Sequence, residues 1–358
     1  PMSYLREYPK KLITHEPNTV ITSGDMHGNV MKYIWLLVKN EVLKLEKPED
    51  FYSLWELYDK DWSYFSGGYD SPHMGSMPKQ EQQEALASFR EIIGRAEVNP
   101  SCRIRLLGDF IADRGKNDWM TLLVLEKLEE VGVRTEIVAS NHDMFFLNEY
   151  YRGDPKLWGK SNSDYGDYVF GIKRLVDDGV VSQEELIKMI ERVYYPNFKL
   201  ISYALSEDKK KITLFTHAPN CLDPIKDLAR ELDVVYKDKD AQELAETIDG
   251  INLAFQILRF ADDEKFKKIQ DRFSRDIKEK ISEETFNDLT KAIEQLKSEK
   301  ATEDEEKIKF AMDNLNQKFQ EASSKIYHSD QTQADAEVPN PSSSHENVVD
   351  AEYQDIHN

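Results

Sequence analysis

Ile104-Arg105-Leu106-Leu107 runs directly into Gly108-Asp109-Phe110-Ile111-Ala112-Asp113-Arg114-Gly115. A short apolar run that stops at a glycine and a carboxylate is how an α/β sheet presents acid groups at its carboxyl edge. Downstream, Trp119, Leu122, Leu123, Leu125 and Leu128 recur at helical spacing, and Thr135 to Ala139 reads as a second strand tipped by Ser140-Asn141-His142-Asp143. The pattern predicts a strand-helix-strand crossover that brings two acid-bearing strand ends side by side. Oxygen ligands, one imidazole and one guanidinium at neighbouring strand tips point to metal ions holding a phosphate.

The same arrangement stands earlier in the chain. Val20-Ile21-Thr22 is a short β-branched strand that leads into Ser23-Gly24-Asp25-Met26-His27-Gly28-Asn29, and Val30, Tyr33, Ile34, Leu37 and Val38 follow at helical spacing. Two apart on a turn, Asp25 and His27 face one site, with the glycines letting the backbone fold beneath them. Taken alone, this segment reads equally as a loop with a capping aspartate; the later strand tips favour a metal role. Further on, Met144 to Tyr150 begins another helix, and a polar, glycine-rich stretch follows near 153–171. Leu200 to Leu205 and Ile212 to Thr216 form a hairpin around Glu207-Asp208, and the second of these strands ends at His217-Ala218-Pro219-Asn220.

The whole chain sets the frame for these segments. Its 358 residues suffice for one large α/β domain plus an insertion, or for two domains, and 40% hydrophobic and 11% aromatic residues allow a sizeable core. A formal charge of −20 argues against a nucleic-acid partner, although a metal pair reverses the sign locally. Cys102 and Cys221 make neither a zinc spacing nor a disulfide framework and read as reduced thiols. No apolar run is long enough for a membrane span. The amino terminus carries no signal peptide, and a proline ahead of the first methionine reads as the scar of a removed tag on a longer parent.

Two insertions stand out. The first, at about 48–98, carries Phe51, Tyr52, Trp55, Tyr58, Trp62, Tyr64, Phe65 and Tyr69 before a Gly/Pro-rich loop in which His73 is a plain loop residue. It reads either as a satellite cluster packed on the core or as a lid that touches substrate. Glu81 to Gly94 then forms an amphipathic helix. The second insertion, 240–325, is charged and poor in glycine, with apolar stripes such as Phe266, Ile269, Phe273 and Ile277, and breaks near Ser282 and Ala301. Two or three antiparallel helices are expected, their stripe a bundle seam or a surface that recruits a protein partner. The expected organisation is therefore a catalytic core at 1–239, a helical insertion at 240–325 and a return to the core at 326–358.

Gly24-Asp25-Met26-His27-Gly28, Gly108-Asp109 through Asp113-Arg114-Gly115, Asn141-His142-Asp143 and Phe215-Thr216-His217 together resemble the ordered motifs of calcineurin-like metallophosphoesterases, in particular the phosphoprotein phosphatase family of protein serine/threonine phosphatases. The elongated Gly-Asp-x-x-x-Asp-Arg-Gly and the helical insert also resemble the Wip effector phosphatases of Legionella. The resemblance implies an α/β fold, a metallophosphoesterase-type β-sandwich flanked by helices, with an inserted helical hairpin or bundle. It implies two divalent ions, manganese in vitro with iron or zinc as alternatives. Asp25, His27 and Asp109 would hold the first, and Asp109 would bridge to a second held by Asn141, His217 and a late histidine. His328, after the short apolar Ile326-Tyr327, is the choice for that ligand, and His345 is its rival. A bridging hydroxide would then attack a phosphomonoester on a phosphoprotein side chain directly. His142 would protonate the leaving group, Asp113 would orient His142, and Arg114, Asn141 and His142 would contact the phosphate.

Three departures from the family pattern carry consequences. Three residues separate Asp109 from Asp113 where two are usual, so the turn must bulge and Asp143 becomes a second candidate to orient His142. Ser140 replaces a customary glycine, and Asp143 a glutamate. The helical insertion separates the late metal histidine from His217, and the family's second phosphate-binding arginine is not assigned to a residue. By resemblance, the chain is expected to be soluble, made in a bacterial cytoplasm and delivered to a host cell. The competing reading is a scaffold with a weak or inert phosphatase core.

Overall fold

Val20-Ile21-Thr22-Ser23 and Arg103-Ile104-Arg105-Leu106 are too short to hold a sheet by themselves, yet they lie parallel in register, Ile21 opposite Ile104 and Ser23 opposite Leu106. The computed structural model describes residues 3–60, 65–66, 73–74, 77–112, 115, 117–152, 170–218, 222–258, 263–274, 283–300, 302, 304, 306–318 and 321. The chain divides into two compact units, Pro1–Ser202 and Tyr203–Asn358.

In the first unit the elements run β1 (Val20–Ser23), α1 (Val30–Lys39), β2 (Leu43–Lys44), α2 (Glu49–Lys60), β3 (Phe65–Ser66), β4 (His73–Met74), α3 (Lys79–Arg95), β5 (Glu97–Val98), β6 (Arg103–Leu106), α4 (Asp118–Val131), β7 (Thr135–Val138), α5 (Asn141–Phe146), α6 (Phe170–Asp177), α7 (Gln183–Met189) and β8 (Phe198–Lys199). The main sheet has the order β1-β6-β7-β8, and each neighbouring pair is parallel. All four carboxyl ends therefore open on one edge, as the strand tips predict. Leu106, Ile137 and Val138 are buried because helices cover the sheet, which a parallel sheet requires.

α4 is the central helix. Every residue from Asp118 to Leu125 is buried, since α1, α3, α6 and the turn Ile190–Tyr194 all pack around it. The first half of the helix is enclosed on all sides and has no polar face to offer, which its run Trp119-Met120-Thr121-Leu122-Leu123-Val124-Leu125 reflects. Asn117 caps its start by accepting from the Met120 amide at 3.1 Å, and Gly132, at φ +86°, closes it.

The described part of the aromatic insertion packs on the core. α2 buries Phe51, Leu54, Trp55 and Tyr58, the Trp55 indole donates to the Leu5 carbonyl at 2.9 Å, and the Arg6 guanidinium lies 4.5 Å above the Trp55 ring. Trp62, Tyr64 and Tyr69 lie outside the described residues. His73, expected in a loop, sits in β4 and pairs with Ser66 of β3.

Two further readings are corrected by the structure. The helix expected from Met144 begins at Asn141, because Ser140 acts as its N-cap. The segment after the glycine-rich stretch, in which no helix was anticipated, is largely helical. α6 opens at Phe170, and Ser182 and Glu185 make a reciprocal capping box at the start of α7.

The second unit begins within β9 (Ser202–Leu205), which pairs with β10 (Ile212–Phe215) in the expected hairpin. The Ser206 amide closes the turn on the Lys211 carbonyl at 3.0 Å. α8 (Leu222–Glu231), α9 (Ala241–Leu258) and α10 (Asp263–Ser274) follow, with Phe255 stacked on Phe266 at 5.8 Å. A helix at Glu283–Lys300 and another at 306–318 follow; Ser282 and Ala301, near which breaks are expected, lie outside the described residues. Among the described residues, no helix is long and apolar enough to cross a membrane.

Candidate active site

The loops that leave β1, β6 and β7 meet at the carboxyl edge of the first unit's sheet. After β1 the backbone turns through His27 (φ +51°) and Gly28 (φ +66°); after β6 it turns through Gly108 (φ +82°), Asp109 (φ +46°) and Ala112 (φ +64°). Left-handed backbone at a histidine, an aspartate and an alanine costs free energy that the surroundings must offset, and such positions gather at functional sites. Here the offset is visible. The Met26 and His27 amides both donate to the Asp109 carbonyl, at 2.9 and 2.6 Å, and the Gly28 amide donates to the Phe110 carbonyl at 3.1 Å. The first two motifs are thereby zipped together through their backbones.

This places their side chains around one point. His27 Nδ1 lies 3.7 Å from Asp109 Oδ2, and its Nε2 lies 3.7 Å from Asp25 Oδ2. The His142 ring stands edge-on to His27, centroids 6.1 Å apart at 79°. Ligand atoms of His27, Asp109 and His142 all lie within 4.8 Å of one another. Asp109 and His142 are buried and His27 half-buried. Two imidazoles and a carboxylate form a donor set that fits a borderline divalent ion such as zinc, iron or manganese.

A layer of polar groups beneath fixes that cluster. Ser140 Oγ accepts from the Asp109 amide at 2.9 Å and donates to Asp143 Oδ2 at 2.5 Å. Asp143 Oδ2 also accepts from the Phe110 amide at 3.2 Å, while Oδ1 accepts from the Tyr194 hydroxyl at 2.5 Å. Burial pushes the Asp143 carboxyl up to about 6 against the opposing pull of the Ser140 and Tyr194 hydroxyls; the nearby Asp109 charge adds to the rise. Asp143 thus braces the Asp109 loop. Ser140 was legible as a departure from a customary glycine. Tyr194 carried no signal in the sequence.

A cation also stands at the first loop. The Lys32 ammonium, on the first turn of α1, donates to the Asp25 carbonyl. Burial lowers its pKa, and the Asp25 charge partly restores it.

The other expected residues are distributed as follows. Asn141 is the first residue of α5, adjacent to His142. His217 lies two residues beyond β10, half-buried, in the second unit. Asp113, Arg114, His328 and His345 lie outside the described residues.

Comparison with solved structures finds the phosphatase domain of the Legionella effector WipB, with a TM-score of 0.61 and 24% identity over 73% of this chain and 94% of that one. That likeness carries the fold: a parallel sheet flanked by helices. No curated protein matches the sequence. Residues 103–288, more than half of the chain and spanning the Asp109 and His142 motifs, match the WipA-like phosphatase domain. The chain belongs to the WipA-like phosphatase-domain family.

Proposed function

We propose that this phosphatase-family chain is a metal-dependent protein phosphatase that hydrolyses phosphomonoesters on phosphoprotein side chains without a covalent intermediate. The observation that carries the reading is the convergence of His27, Asp109 and His142, with ligand atoms within 4.8 Å of one another, in a chain of this family. Asp25, His27 and Asp109 would hold one divalent ion; Asn141, His217 and either His328 or His345 would join Asp109 on a second. When bound, such a pair supplies positive charge to the phosphoryl oxygens and an acidified water as nucleophile.

The chain's own groups do the rest. Arg114 grips the phosphate through two parallel hydrogen bonds. His142 gives a proton to the departing serine, threonine or tyrosine oxygen, and Asp113 orients its ring. Asp109, held rigid from below by Ser140, keeps its carboxylate aimed at the site through the reaction. We also read the chain as an effector that acts on host phosphoproteins; the support is the effector origin of the WipB domain.

The test is hydrolysis of p-nitrophenyl phosphate and of phosphoserine, phosphothreonine and phosphotyrosine peptides, with manganese and after thorough chelation, alongside metal analysis. Turnover that depends on bound metal supports the reading. Turnover that survives complete metal removal overturns it.

A further inference from the structure

Asp118 opens α4, and an acidic residue in a first helical turn is ordinarily there for the helix dipole, half in water. Asp118 is instead fully enclosed, with 0% of its surface exposed. Its Oδ1 accepts from the Ala112 amide at 3.1 Å. Ala112 is, with Gly108 and Asp109, a left-handed residue of the Asp109 loop, and its carbonyl in turn accepts from the Gly115 amide at 3.3 Å.

Two other segments close on the same carboxylate. A Cβ on Gly28 would stand 2.6 Å from Asp118 Oδ1 and 2.7 Å from the Gly115 Cα. A Cβ on Gly171, from α6, would stand 2.7 Å from Asp118 Oδ2 and 3.1 Å from the Gly115 carbonyl oxygen. Gly28 and Gly171, from two segments, are therefore bare where they meet one buried carboxylate, and Gly115 is bare where it meets Gly28. Replacing hydrogen by methyl at either Gly28 or Gly171 drives an atom into it.

We propose that Asp118 is a positioning residue for phosphoryl transfer: it locks the Asp109–Ala112 turn and Gly115 against the His27-Gly28 turn. The proposal rests on the phosphatase reading for its catalytic consequence but not for its structural one. A carboxylate can hold the strained Ala112 amide and fill the space between the glycines together, whereas alanine does neither. Rates of reactions that depend on alignment fall about a hundredfold for misplacements near 1 Å.

The experiment uses the full chain with Asp118→Ala, Asp118→Asn and Gly171→Ala, and two readouts. The first is amide hydrogen exchange at Ala112 and Gly28 in metal-free protein. Asp118→Ala is expected to speed exchange at Ala112 about tenfold, the size of a lost buried hydrogen bond. The second is the split between kcat and KM on p-nitrophenyl phosphate with manganese, where kcat is expected to fall about thirty- to a hundredfold while KM stays within about twofold. Asp118→Asn keeps an acceptor for the Ala112 amide and is expected to recover most of both losses. Parental exchange at Ala112 in Asp118→Ala overturns the proposal, as does an Asn variant as damaged as the Ala variant.

Should Asp118→Ala fail to fold, Gly171→Ala decides between the outcomes. It displaces the carboxylate and is expected to give the same loss of protection and of kcat, and parental values overturn the brace. A parent chain with no phosphatase turnover sinks the functional reading alone, because exchange at Ala112 still tests the brace.

Discussion

The Tyr194 hydroxyl donates to Asp143 Oδ1 at 2.5 Å, although the two residues lie 51 positions apart and both are buried. Asp143 carries the contact onward to the Phe110 amide, next to Asp109. Tyr194→Phe removes the donor while keeping the ring and its packing against Phe146, centroids 5.0 Å apart. Leaving a buried acceptor without its donor costs about 1–3 kcal/mol. Denaturant unfolding is expected to show that loss with an unchanged m-value, and wild-type stability would mean that Asp143 does not depend on Tyr194.

Asp143 also gives a pH dependence with a definite sign. Its carboxyl rises from 3.8 to about 6 on folding, chiefly through burial. The native state therefore holds this proton over a range where the unfolded chain has released it. The contribution to stability is complete below about 3.8 and fades as the pH climbs through about 6. Asp143→Asn removes the titration. In metal-free protein the stability of the parent relative to this variant is expected to fall between about pH 4 and 6, and a constant difference across that interval contradicts the assignment.

At Gly28 the backbone and the space agree. Its φ is +66°, and an added Cβ meets Asp118, Gly115 and Ala112 within 2.8 Å, whereas nothing lies within 4 Å of a Cβ on Gly24. Gly28→Ala is expected to cost about 1–3 kcal/mol as an overpacking change, with a larger fractional loss of activity than of folded protein. Gly24→Ala is the control, expected to stay within about 0.5 kcal/mol of the parent. Equal melting temperatures for the two variants contradict the crowding.

The same contrast explains what was legible in the sequence. β1, β6 and β7 could be read because each is an apolar run that ends on polar, metal-capable residues, and α1 and α4 because their apolar positions repeat over several turns. β8 has only two residues and pairs through its neighbour, so no periodicity could reveal it. α6 and α7 are eight and seven residues long, below the length at which a helical stripe stands clear, and only the Ser182–Glu185 box marked the second. Asp25, His27, Asp109 and His142 could be chosen as site residues because their chemistry shows in their types. Asp118 could not, since its burial depends on glycines at 28, 115 and 171 that come together only in the folded chain.

Asp109 lies at the centre of the cluster, buried, beside His27 and hydrogen-bonded from below through its amide. Asp109→Asn keeps the shape and removes the charge that a divalent ion requires. Its turnover is expected to fall by more than the roughly 10- to 100-fold seen when a ligand's hydrogen-bonded neighbour is changed, together with bound metal. Full activity in this variant would reject the assignment of the site.

His142 carries the sharpest test, because the geometry and the resemblance assign it different work. Its ligand atom lies within 4.8 Å of those of His27 and Asp109, as a metal ligand's would, whereas the resemblance makes it the acid that protonates the leaving oxygen. The two roles separate by leaving group. A serine alkoxide needs the proton, while p-nitrophenolate departs without one. If His142 is the acid, His142→Asn lowers kcat on a phosphoserine peptide by about 10²- to 10⁴-fold and leaves p-nitrophenyl phosphate much less affected, with metal content unchanged. If it is a ligand, both substrates lose equally and bound metal drops with them. Preserved metal together with a leaving-group-dependent loss is the expected result, and its absence would move His142 from proton donor to metal ligand.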